Sequence, residues 1–176
     1  MSVNWLSDRE RAAWRNLSLM NLQLAAVLSR DLAGSDLSYQ DYVVLAHLSD
    51  QDEGRVRMHE LGASLGWEKS RVSHHVARME GRGLVRRERC PSDGRGWFVA
   101  VTPDGRSAIA AAAPGHVAAV RRHFIDLLSP TQIGHLDRIA STVLAHLAAL
   151  PPNPAPEPCP RPLTRPGPLF TQSPVR

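Results

Sequence analysis

The chain has 176 residues, 43% apolar, 22% charged and only 5% aromatic, which fits one folded domain with some extra helix and disfavours a two-domain enzyme or a large aromatic-lined substrate cleft. The formal net charge is +4. Residues 68–95 alone carry eight Lys/Arg (Lys69, Arg71, Arg78, Arg82, Arg86, Arg87, Arg89, Arg95) against four acids (Glu68, Glu80, Glu88, Asp93), so this one segment holds the whole excess.

The first element reads as a long amphipathic helix from Trp5 to Leu32, because Leu17, Met20, Leu24, Leu28 and Leu32 recur at intervals of three and four; Gly34 punctuates its end. Ser38 followed by Asp41 resembles a capping-box start, with Tyr42, Leu45, Ala46 and Leu48 as the buried face of the next helix. Arg55 to Met58 is a short strand, and HELGASLGW is a two-turn helix closed by Gly66. A further helix opens around Glu68 and runs to about Glu80. Val72, Val76 and Met79 form its inner face, and Lys69, Ser70, Arg71, Ser73, His74, His75 and Arg78 are expected to face outward. Two short helices joined by a tight glycine-containing turn are a helix-turn-helix signature.

Two strand-like runs follow, residues 84–90 and 96–101, joined by a loop containing Asp93-Gly94. The basic tip of that hairpin reads as a wing. Thr102-Pro103 then caps an alanine-rich helix expected to reach about Leu128 and to kink at Pro114-Gly115. Ser129-Pro130-Thr131-Gln132 caps a last helix in which Ile133, Leu136, Ala140, Val143, Leu147 and Leu150 make an apolar seam that wants a partner. The last 26 residues hold ten of the 14 prolines and no core-forming period, so no fold is expected there.

The organisation expected is therefore mainly α with a small β-hairpin wing. An N-terminal dimerisation helix occupies residues 1–37, a winged helix-turn-helix 38–102, C-terminal dimerisation helices 103–150 and a proline-rich tail 151–176.

Concentrated positive charge suits a polyanion-binding surface, because each neutralised phosphate releases condensed counterions; on charge alone a solvated basic face is equally open. Major-groove readout needs a helix that presents hydroxyls and multidentate polar groups over an apolar back. Residues 68–80 meet that need, with Ser70, Arg71, Ser73, His74 and His75 as candidates for base edges and Lys69 and Arg78 for phosphates. Arg95 at the wing tip suits a narrow minor groove, with Asp93 orienting it; a surface ion pair between the two is the plainer alternative.

The order LSYQDYVVLAHL, then HELGASLGWEKSRVSHHVARMEGRGLVRRERCPSDGRGWFVAVTPDGR, resembles the MarR family of bacterial regulators over most of residues 10–150. The most specific pieces are MEGRGLVRR, the wing SDGRGWFVAVT with its Asp-x-Arg pair, and TPDGR leading into a long helix. The resemblance implies a homodimer intertwined through the first and last two helices, a pseudo-palindromic double-stranded DNA operator, repression of nearby genes, and modulation by a small, often phenolic, ligand. Trp14, Tyr39 and Tyr42 are the candidates for the ligand crevice, with packing of the helix junction as their alternative role. His74, His75 and Gly81 depart from the family's usual residues, so the bases read do not carry over.

Among rival functions, catalysis finds no GxSxG or HExxH string and no paired carboxylates. The two cysteines, Cys90 and Cys159, and the histidines show no metal-ligand spacing, so neither a metal nor a cofactor is expected. Cys90, beside the wing, is a candidate redox trigger or else a small strand residue. A winged helix that binds protein rather than DNA is the third reading, which the clustered charge disfavours. The first ten residues are charged, and no run approaches the roughly 18 apolar residues of a membrane span; a cytoplasmic protein is expected.

Overall fold

Ser7 starts the first helix through a reciprocal pair of bonds: its amide donates to the Glu10 carboxylate at 2.8 Å, and its hydroxyl accepts from the Glu10 amide. The pair satisfies donors that a first turn leaves open. In the computed structural model, which describes residues 3–89 and 96–150, this helix is α1 (Asp8–Asp31). Ser38 and Asp41 repeat the device at the start of α2 (Tyr39–Ser49), with bonds of 3.0 and 3.1 Å. Then come β1 (Arg55–Arg57), α3 (Met58–Leu65) and α4 (Lys69–Gly81). Gly66 ends α3 at φ 62°, a left-handed conformation open to glycine at no steric cost. The hairpin of β2 (Val85–Arg89) and β3 (Trp97–Val101) precedes α5 (Pro103–His123), a short 3-10 turn at Ile125–Leu127, and α6 (Pro130–Ala148).

The three strands form one antiparallel sheet in the order β1-β3-β2, with Val56 opposite Val99 and Arg87 opposite Val99 from the other side. Val44, Leu45 and Leu48 of α2, Leu61 of α3, Val72, Val76 and Met79 of α4, and Val85, Val99 and Val101 of the sheet make one buried cluster. At about 1.5–3 kcal/mol for each fully buried side chain of this size, the cluster is what fixes α4 to the rest of the domain.

The caps expected at Ser38, Thr102 and Ser129 are all present. Three details differ from expectation. The α1 stripe is buried only at its C-terminal end, Leu28 and Leu32, while Leu17 is 42% exposed. Burial on α2 falls on Asp41, Val44, Leu45 and Leu48, with Tyr42 and Ala46 half-buried, because the capping carboxylate itself turns inward. The helix α5 runs continuously through Pro114 and ends at His123 rather than near Leu128.

The chain divides into two units, Met1–Ile133 and Gly134–Arg176; α1 and α5 thus share a unit with the winged helix. In the second unit the described residues continue α6, where Ile139, Val143, Leu144 and Leu147 are exposed and no residue of the helix is buried. Among the described residues no helix is long and apolar enough to cross a membrane. Cys90 and the proline-rich tail lie outside the described residues.

Candidate nucleic-acid interface

The helix α4 separates its two faces as its sequence suggests, with one exception. Val72, Val76 and Met79 are buried, and Lys69, Ser70, Arg71, Ser73, His74 and Arg78 are exposed. His75, expected on the outer face, is only 7% exposed. It stands three residues after Val72 and four before Met79, so helical geometry puts it on their side; that spacing was the available signal. His75 cannot reach a base edge from there. Asp93 and Arg95 lie outside the described residues.

What holds His75 inward is a polar cluster between α2 and α4. Asp41, 3% exposed, accepts from Arg82 Nη1 at 2.7 Å as well as from the Ser38 amide. Arg82, at the end of α4, also donates to the Asp36 carbonyl. His75 Nε2 lies 3.1 Å from Asp41 Oδ1, near in distance but poorly aligned for a hydrogen bond. Arg78 Nη2 approaches His75 Nδ1 at 3.1 Å. A guanidinium only donates, so Nδ1 is the acceptor and the ring proton sits on Nε2, toward the carboxylate. A cavity of about 520 Å³ opens beside the cluster, bordered by Arg71, Arg78 and Arg82.

Burial pushes the Asp41 carboxyl up, but Arg82 and the Ser38 amide and hydroxyl outweigh it and hold the group below its ordinary value. Burial pushes the His75 imidazole down; Asp41 opposes this, while the charges of Arg78 and Arg71 add to it, and the ring stays below the usual histidine value. Burial also lowers His116. All three groups bind protons more readily in the unfolded chain. The stability held by the histidines is therefore complete above their ordinary value of 6.5 and is lost as pH falls through their folded values; Asp41 adds a further loss below 3.8. The thermal midpoint should fall between about pH 7 and pH 5, and less steeply in a His75→Asn/His116→Asn variant. Melts followed by circular dichroism check this, and a midpoint constant across that interval would contradict it.

Trp67, in the turn before α4, supplies a second support. The Arg71 guanidinium lies 4.4 Å above its ring, and the His75 ring meets it edge-on at 5.1 Å. Such stacking holds a planar cation in place without neutralising it.

The basic segment is partly neutralised within the fold. Arg82 pairs with Asp41, Arg87 with Glu80 at 2.6 Å and Arg86 with Glu88 at 2.6 Å, the last shared with Arg55. Among the described residues, no carboxylate pairs with Lys69, Arg71, Arg78 or Arg89; Arg89 lies over the Trp97 ring at 5.4 Å. Within the described part of the basic segment, the cations without a carboxylate partner are thus those of the exposed α4 face and the end of β2.

The aromatic candidates divide. Tyr39 and Tyr42 lie beside His116 of α5, with ring centroids at 6.3 and 4.1 Å, and the buried His116 Nδ1 has no hydrogen-bond partner. Trp14 is 63% exposed on α1 and makes no ring contact with them. Asp41, Arg82, Trp67 and His116 are the residues that sequence reasoning missed; of these only Asp41 had a local signal, its capping position.

Residues 35–96 match the model of the MarR family. The regulator HosA of Escherichia coli O111:H- is 39% identical over 80 residues, 45% of this chain and 57% of its own, so the chain spans a little over half the length of that curated relative. AbsC, a MarR family transcriptional regulator from Streptomyces coelicolor, superposes with a TM-score of 0.77 at 42% identity, over 84% of this chain and 100% of its own. Sco3205, a MarR family transcriptional regulator from the same organism solved in complex with DNA, gives 0.76 at 37% identity, over 82% and 91%. With the helix-turn-helix, the three-stranded wing sheet and a relative of this identity matched along its whole length, the chain belongs to the MarR family of transcriptional regulators.

Proposed function

We propose that this protein is a homodimeric regulator that binds double-stranded DNA, with α4 of each subunit in a major groove and the wing at the adjacent minor groove. The observation that carries the reading is the row of unneutralised cations, Lys69, Arg71 and Arg78, on the exposed face of a helix whose back is locked into the core. Ser70, Ser73 and His74 share that face and supply hydrogen-bonding groups for base edges. The DNA complex of Sco3205, with 37% identity to this chain, supports it.

A second copy of the chain is the proposed partner of the α6 seam, whose Ile133, Val143, Leu147 and Leu150 are exposed; exposed apolar surface of this kind favours association. A two-fold dimer reads two half-sites about one helical turn apart, roughly 10 base pairs centre to centre. Seated there it represses the adjoining gene, and a small aromatic effector bound at Tyr39, Tyr42 and His116 alters its affinity.

The test is a salt titration of duplex binding, with sedimentation to fix the oligomeric state. A dimer placing Lys69 and Arg78 of each subunit on phosphates should lose affinity with a log–log slope of about −3.5. A monomer, or binding indifferent to salt, would count against the proposal.

A further inference from the structure

Arg78 projects from the exposed face of α4, yet the group nearest its guanidinium is a buried one. Its Nη2 is 3.1 Å from Nδ1 of His75, and His75 is enclosed by Asp41 from α2 and by the Trp67 ring. Asp41 is itself pinned by Arg82 and Ser38. We infer that His75 is a positioning residue for DNA recognition: its ring, enclosed between Asp41 and Trp67, offers Nδ1 as a fixed acceptor that aims Arg78 at the duplex.

The inference rests on the DNA-binding reading and adds to it a buried residue that touches no DNA. An arginine on a helix surface samples many rotamers, and ordering it on binding costs entropy. A fixed acceptor removes part of that cost while leaving the positive charge intact, which a carboxylate in the same place would not. Among the charged groups of the described residues facing His75, Asp41 is the only acid, and it faces the other ring nitrogen; Arg78 and Arg71 come from α4 itself. The acceptor role of Nδ1 requires a neutral ring, and burial shifts this ring toward its neutral form.

Two substitutions separate the ring nitrogens. His75→Asn keeps a carbonyl oxygen near the Nδ1 position, whereas His75→Gln carries its amide toward the Nε2 position, keeping a group for Asp41 and none for Arg78. Each variant is made in the full chain and titrated with the duplex that the parent protein enriches from a random pool, with its helicity and melting point checked alongside. H75N should bind within about twofold of the parent, and H75Q roughly five- to tenfold more weakly. In an Arg78→Ala background the two should be equal.

Equal binding of H75N and H75Q with Arg78 present would overturn the inference while leaving DNA binding intact. So would a gap that persists in the R78A background, since that would mean His75 acts on the fold rather than through Arg78. A parent that enriches and binds no duplex would overturn the DNA-binding reading and the inference with it.

Discussion

Replacing Gly105 with alanine should destabilise the protein by about 3 kcal/mol, the upper range for forcing extra volume into a packed site. A Cβ at this buried position would stand 2.0 Å from the Leu84 carbonyl oxygen and 3.0 Å from its carbon. Both are backbone atoms, so no side-chain rotation relieves the clash. The Leu84 carbonyl also accepts from the Thr102 amide and hydroxyl at 3.2 and 3.1 Å, and the same hydroxyl donates to the Gly83 carbonyl and accepts from the Gly105 amide. Displacing Leu84 therefore loosens the α5 cap and the entry to β2 together. Gly81→Ala is the matched control: a Cβ there meets nothing within 4 Å, at a negative φ in α4, so alanine should be neutral or stabilise by a few tenths of a kcal/mol. Urea denaturation of the two variants checks the pair, and equal midpoints would show that the approach of α5 to β2 is not tightly packed.

Arg71→Ala should weaken binding to the preferred duplex by roughly ten- to a hundredfold, and should relax selectivity at one position of each half-site rather than lower affinity uniformly. Arg71 is exposed near the start of α4, and its guanidinium carbon lies over the Trp67 ring, 4.4 Å from its centroid. A planar fork held in one orientation suits a bidentate contact to a guanine edge. Lys69→Ala, which removes a flexible point charge from each subunit, should instead reduce affinity evenly across sequences and flatten the salt slope by about two. Competition titrations with single-base variants of the duplex distinguish the two. Uniform loss in both would assign Arg71 to a phosphate.

Much of this architecture was legible in the sequence because it is written in local patterns. The caps at Ser38, Thr102 and Ser129 depend on residues three positions apart. The burial of Val72, Val76 and Met79 follows from helical period alone. Long-range pairings had no such signal. Arg82 meets Asp41 across 41 residues, Tyr42 meets His116 across two helices, and β1 joins the hairpin through β3 rather than β2. His75 shows why a residue type misleads: its polarity suggested an outward position, and a buried carboxylate from another helix made the inward one tolerable. The division of the basic segment into paired and unpaired cations likewise emerged only from the fold, because Arg87 finds Glu80 in three dimensions.

Selection of bound duplexes from a randomised pool by the full chain, repeated at two salt concentrations, tests the central claim most directly. The account predicts an enriched palindrome with half-sites about 10 base pairs apart, weakened as salt rises. A pool that stays random at both concentrations would contradict it.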